Sequence, residues 1–222
     1  MDNKAFKAAR LQSFEGLKLN ENTYNLVIGL VLLWGIMINV VMSNFFMAQI
    51  MMIPPIAVLI IYLAGSIGCM LVIYKSDVPV VSFLGFTGLS IAMGLLVTYY
   101  ISYFTRETVT RAFLMTAMVT LVMILISSIK PAFFLSIGRA LIIALIATIV
   151  IEVLAALIFK SSMVITDYIV ALIFCGFIGY DWAKAQVYPK TLDNAIDSAA
   201  DIYVDVVNLF IRILSIMGKK NN

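Results

Sequence analysis

The run Ile53-Pro-Pro-Ile-Ala-Val-Leu-Ile-Ile-Tyr-Leu-Ala-Gly-Ser-Ile-Gly-Cys-Met-Leu-Val-Ile-Tyr74 contains no charged residue. As a helix, about 20 such residues reach some 30 Å, the hydrocarbon thickness of a bilayer. Apolar side chains stand on every side of it, so it has no polar face to turn toward water. The pattern recurs over Asn25–Ala48, Val80–Phe104, Val109–Ile129, Ser136–Phe159, Met163–Trp182 and Ser198–Met217. Barrel strands would be alternating segments of roughly ten residues, about half this length. The expected fold is therefore an all-α membrane protein, a bundle of seven transmembrane helices.

Composition points the same way. Hydrophobic residues make up 63% of the 222, charged residues 12%, and the mean hydropathy is +1.07. Soluble domains carry about 25% charged residues, so here the bilayer has to cover most of the surface. The expected organisation is a cytoplasmic N-terminal segment 1–24, one transmembrane domain 25–217 and a short tail 218–222, with lipid as the first partner. The net charge of +3 is dispersed as single residues between apolar runs, which argues against nucleic acid. Cys69 and Cys175 sit inside apolar runs and read as small buried hydrophobes, not as a disulfide. Lys4, Lys7 and Arg10 precede a first apolar run that begins near Asn25 and is long enough to be a retained span instead of a cleaved signal.

Orientation follows the loop Lys and Arg residues. With the N-terminus in the cytoplasm and seven crossings, Lys4, Lys7, Arg10, Lys18, Lys75, Lys130, Arg139, Lys184 and Lys190 lie inside. Arg106, Arg111, Lys160, Lys219 and Lys220 lie outside. A last segment that doubled back would move Lys219 and Lys220 inside as well. The length of Ser198–Met217 favours a seventh crossing. Gly65, Ser66, Gly68, Gly85, Gly88 and Gly94 are the small residues expected to allow close helix approach.

The chain has no histidine, which excludes His-based triads and zincin motifs. It also lacks a phosphate-binding Gly-rich loop and a nucleophile elbow, so transport, conduction or regulation by contact is expected instead of enzymatic activity. Attention then falls on ionisable residues within spans, which are costly there and mark function. Asp197, Asp201, Asp205, Asn208 and Arg212 stack on one face of the last helix. Asp197 and Asp201 can also be read as a solvated helix start. Asp205 lies about 10 Å inside the span by the helical rise and must face a protein interior or a water-filled crevice.

Asp181, which ends the sixth span, can be an interface anchor beside Tyr180 and Trp182. The topology nevertheless brings Asp181 and Asp205 to one depth at one end, where Tyr74-Lys75 also arrives. Glu152 in the fifth span is either a protonated buried acid or the partner of Arg212, because both fall in the outer half and pairing relieves both burial costs.

The segments Leu172-Ile-Phe-Cys-Gly-Phe-Ile-Gly-Tyr-Asp181, Asp205-Val-Val-Asn208-Leu-Phe210 and Arg111-Ala-Phe-Leu-Met-Thr-Ala117 resemble signatures of the Bax inhibitor (transmembrane Bax inhibitor motif) family. The resemblance runs from Tyr24 to Leu214 and is to a prokaryotic-type member, which implies a bacterial inner membrane. It also implies a central seventh helix wrapped by the other six, and a pH-sensitive calcium leak in which Asp181 and Asp205 share a proton as sensor and gate. These two are then the candidate transient calcium ligands, with no other cofactor, and Lys75 is the candidate latch on the pair. Oxygen-rich, histidine-free carboxylates suit calcium. The alternative is a non-conducting interaction protein that regulates a membrane protease or the cell-death and stress machinery. A secondary transporter is a third reading, but no inverted repeat is evident.

Overall fold

The computed structural model describes residues 18–159 and 164–218. Lys4, Lys7, Arg10, Lys160, Lys219 and Lys220 of the charge count lie outside the described residues, as do most of the segment 1–24 and of the tail 218–222. Among the described residues there are eight helices: α1 (Glu21–Phe45), α2 (Met47–Ile50), α3 (Pro55–Lys75), α4 (Pro79–Ile101), α5 (Arg106–Ile129), α6 (Pro131–Phe159), α7 (Val164–Val187) and α8 (Leu192–Met217). The same residues contain no strand, only an isolated bridge between Lys18 and Thr191.

The starts follow local chemistry. Asn20 Oδ1 accepts from Thr23 N at 2.8 Å and Thr105 Oγ1 from Thr108 N at 3.2 Å, so each caps a first turn. α3, α4 and α6 open on Pro55, Pro79 and Pro131, where a missing N–H costs nothing. Several boundaries differ from the apolar runs, two of them at polar turns. α7 continues past Trp182 to Val187, and α8 begins at Leu192, well before Ser198, with Thr191 Oγ1 accepting from Asn194 N at 3.2 Å. Hydropathy misses these turns because their polar groups are satisfied inside the protein.

Six helices are long and apolar enough to cross a membrane, namely α1, α3, α4, α5, and the stretches Pro131–Ala155 of α6 and Ile165–Val187 of α7. The chain is a multi-pass integral membrane protein. Its outward side chains fit that medium: Leu125, Ile143 and Leu172 are 63%, 68% and 73% exposed, on a surface that lipid covers. α8 differs from the expected seventh span. It carries Asp193, Asp197, Asp201, Asp205 and Arg212 and falls outside the apolar set, yet none of its residues is exposed.

The chain divides into two compact units, one of residues up to Ser102 with Ala185–Tyr203, the other of Tyr103–Lys184 with the residues from Val204. In the first, Tyr24, Ile28, Phe86, Leu89 and Tyr203 are fully buried. Phe86 meets Tyr203 edge-on with centroids 5.3 Å apart, and Asn39 Nδ2 donates to Tyr203 Oη at 2.8 Å. Close approach is real at Gly88 and Gly94, where an added Cβ would lie 2.8 Å from Cys69 Sγ and 2.6 Å from Asn39 Oδ1. Gly65 and Gly85 are similarly crowded, whereas Gly68 has nothing within 4 Å and makes no such approach. In the second unit, Ser127 Oγ donates to Gly179 O at 2.5 Å and Trp182 Nε1 to Ser128 Oγ at 2.8 Å, tying α5 to α7.

Candidate functional site

The acidic stripe of α8 is buried. Asp193, Asp197, Asp201 and Asp205 are only 6%, 1%, 6% and 6% exposed, which overturns the reading of Asp197 and Asp201 as a solvated helix start. A carboxylate inside a membrane protein is tolerated only with donors around it, and within the first unit two hydroxyls are among those donors. Ser82 Oγ donates to Asp193 Oδ1 at 2.6 Å, and Tyr74 Oη donates to Asp201 Oδ1. The end of α3 therefore reaches the stripe through Tyr74, whereas its neighbour Lys75 is exposed. Asn208 Nδ2 turns back to Val204 O at 2.8 Å on its own helix.

A second polar knot forms where α7 ends. Lys190 Nζ lies 3.2 Å from Ala185 O, 3.0 Å from Gln186 O and 3.1 Å from Gln186 Oε1, so it caps carbonyls that have no helical partner. It also sits 4.4 Å from the centre of the Tyr24 ring. Tyr24 Oη is 3.2 Å from Ala185 O, 3.3 Å from Asn194 O and 3.2 Å from Ser198 Oγ. Burial lowers the Lys190 amine below the usual lysine range, and the charge of Glu21 opposes that shift in part.

Within the second unit, Asp181 is 9% exposed and Asp205 6%. Lys184 pairs with Asp181, with Nζ 2.7 Å from Oδ1 and 5.4 Å from the centre of the Tyr180 ring. The sequence reading counts Lys184 only as a loop charge. Its signal was the three-residue spacing from Asp181, which becomes a contact once the helix extends past Trp182.

Arg212 pairs with Glu152 through two parallel bonds, Nη1 to Oε1 at 2.7 Å and Nη2 to Oε2 at 3.0 Å. Nη1 also reaches Asp167 Oδ1 at 2.7 Å, and Ser215 Oγ donates to Asp167 Oδ2 at 2.6 Å. Asp167 is a site residue that the sequence reading passes over. It stands in the first turn of α7, where the helix dipole favours a carboxylate. Among the described residues, no three His, Cys, Asp or Glu side chains gather as a metal cage.

The family model described as "Inhibitor of apoptosis-promoting Bax1" matches residues 17–222. The chain belongs to the Bax inhibitor family. This family match covers α1 through α8 and all the buried charges above. The chain is also similar to Protein LIFEGUARD 3 of Arabidopsis thaliana, 34% identical over 58 residues. That segment is 26% of this chain and 23% of the plant protein, so the chain matches under a quarter of that relative's length.

Proposed function

We propose that this Bax inhibitor family protein is a pH-sensitive calcium (cation) leak channel. In this reading seven helices cross a bacterial inner membrane, as the resemblance to prokaryotic members of the family implies, and the N-terminus is cytoplasmic. The supporting observation is α8, which carries four buried aspartates yet exposes none of its residues. A helix so acidic is stable in a bilayer only when enclosed by protein or bordering a water-filled path. In this reading α8 is the central seventh helix, and carboxylates along it offer oxygen ligands of the kind hard cations take. Asp181 and Asp205 act as the gate by sharing a proton, and they contact calcium transiently as it passes. Lys75 is the candidate latch on that pair, alongside the Lys184 already at Asp181.

The test is calcium flux into liposomes reconstituted with the purified protein, read at several pH values. A leak above protein-free vesicles that changes with pH supports the channel. Flux equal to empty vesicles would favour the non-conducting regulator of a membrane protease or stress machinery.

A further inference from the structure

The first unit carries a cleft of about 570 Å³ between α1, α2 and α4. It begins at Trp34, midway along α1, whose Nε1 donates to Thr87 Oγ1 on α4 at 3.2 Å. A tryptophan in a span usually sits at the membrane–water interface. Here its N–H is satisfied at mid-depth, so the ring serves as an apolar wall. From Trp34 the cleft follows Val41 and Met42 on α1 and Ile91 on α4 to Phe46 and Ile50, where the chain turns off into α2. α1 and α4 run side by side in one sense: Trp34 meets Thr87, and further along a Cβ on Gly94 would lie 2.6 Å from Met42 Sδ.

No charged residue is among the described residues that line it. Thr87 accepts from Trp34 and donates to Phe83 O at 2.9 Å, so its hydroxyl is engaged. The other polar lining residue is Gln49, exposed on α2. Water would find few partners away from Gln49, and apolar hollows stay dry. The cleft is continuous with the surface that lipid covers, because Trp34, Val41, Phe46 and Ile91 are exposed, as are Leu33 and Val40 beside them on α1. Its length matches one leaflet. Trp34 stands eleven residues before the end of α1 at Phe45, about 16 Å by the helical rise. Half of the hydrocarbon core is about 15 Å.

We infer that this cleft is a binding site for one acyl chain of a membrane phospholipid, drawn from the leaflet on the α2 side, with its methyl end at Trp34 and its ester end at Gln49. The volume is that of an ordinary small-molecule site. Met37 and Met42 supply unbranched, adaptable thioethers to the wall, which suits a flexible hydrocarbon chain. Gln49 offers an amide that can both donate and accept, the chemistry an ester and glycerol backbone can use. A chain in the cleft meets α1, α2 and α4 together and gains more dispersion contacts than one lying on a single helix. It is therefore held longer than the surrounding lipid. The site is independent of whether the protein conducts ions.

Trp34 can report on its own site. The chain has 2 tryptophans, so Trp182→Phe leaves Trp34 as the sole indole. In detergent micelles this protein is titrated with phosphatidylcholine brominated on its acyl chains, which quenches an indole on contact. Quenching should saturate at a lipid content several-fold below that needed for Leu172→Trp in a Trp34→Phe, Trp182→Phe background, where the indole sits on the lipid-covered surface of α7. Bromines near the methyl end should quench Trp34 more than bromines near the ester. Val41→Phe, at an exposed position in the cleft, should remove the saturable part, and Val41→Ala should keep it. Trp34 quenching that tracks lipid content as Leu172→Trp does would overturn the site. So would a Trp34 that no lipid quenches, the result expected if a protein partner fills the cleft. Saturable quenching unchanged in Val41→Phe would place the bound lipid elsewhere and overturn this cleft as its seat.

Discussion

Lys184 reaches back one helical turn and places its Nζ 2.7 Å from Asp181 Oδ1. The pair is partly open, with side chains 23% and 11% exposed, so its attraction is screened. Lys184→Gln should cost about 1 kcal/mol or less of stability in detergent, in keeping with i,i+3 pairs and partial exposure. Lys184→Glu should cost clearly more, by placing a second negative charge beside a buried one. Lys75→Gln, at an exposed position, should stay within about 0.5 kcal/mol. Equal effects at Lys75 and Lys184 in thermal unfolding would contradict this ranking.

The proposed gate makes its own forecast. Asp181→Asn and Asp205→Asn should each flatten the pH dependence of calcium flux between about pH 6 and 8, since each removes one carboxylate of a pair that would share a proton. Wild-type pH dependence in both variants would retire the dyad as sensor, whatever became of the channel.

Tyr74 and Ser82 donate to Asp201 and Asp193, both buried. Removing the donor takes one hydrogen bond from a buried carboxylate, so Tyr74→Phe and Ser82→Ala should each lose about 1.5–3 kcal/mol, as bonds to charged groups do. For a chain of this length that is a fall in Tm of a few degrees per kcal/mol. A Tm within a degree of wild type in both variants would show that other groups carry these carboxylates.

Packing in the first unit can be checked at two glycines of α1. A Cβ on Gly35 would lie 2.8 Å from both Phe86 Cζ and Tyr203 Cε2, whereas Gly29 has nothing within 4 Å. Gly35→Ala should destabilise by about 1–3 kcal/mol through overpacking. Gly29→Ala should be neutral or stabilising by up to about 1 kcal/mol, from helix propensity. Reversed signs in unfolding experiments would mean that α1 packs differently.

Lys190 gives a pH signature of stability. Its amine is lowered in the folded protein by burial, so between that lowered value and the ordinary 10.5 the unfolded chain binds more protons. Stability contributed by this group therefore rises with pH through that window. Lys190→Met should lack that alkaline gain and, at neutral pH, should lose the cap on Ala185 and Gln186. An alkaline slope identical to wild type would show that Lys190 titrates as it does in the unfolded chain.

Much of the fold is legible in the sequence because the bilayer imposes one simple demand, a long apolar run, and α1 and α3–α7 meet it. α8 shows where that demand stops informing. Its aspartates lower its hydropathy, yet burial by the rest of the chain makes it the least exposed helix, and hydropathy cannot see neighbours. Glu152 and Arg212 could be matched from depth alone, because an unpaired charge in a span is costly. Asp167 escaped notice because it sits at the edge of an apolar run, where a carboxylate needs no explanation. Tyr74 escaped because a phenol at a span end reads as an interface anchor, and only its aim at Asp201 gives it another meaning.

The acidity of α8 also bears on how the molecule is made. Each charged residue costs about 2.5–3.5 kcal/mol at a helix centre on insertion scales, so α8 released alone into lipid would have little reason to stay. It leaves the ribosome after the six apolar helices, and Ser82, Tyr74, Glu152 and Asp167 on those earlier helices are the groups that receive it. Biogenesis thus gains a built-in order: the apolar helices lodge in the membrane first, and the acidic helix is admitted only into a receptacle already formed. A chain whose receptacle is damaged would display α8 unhoused, a feature by which membrane proteases could single out misassembled copies.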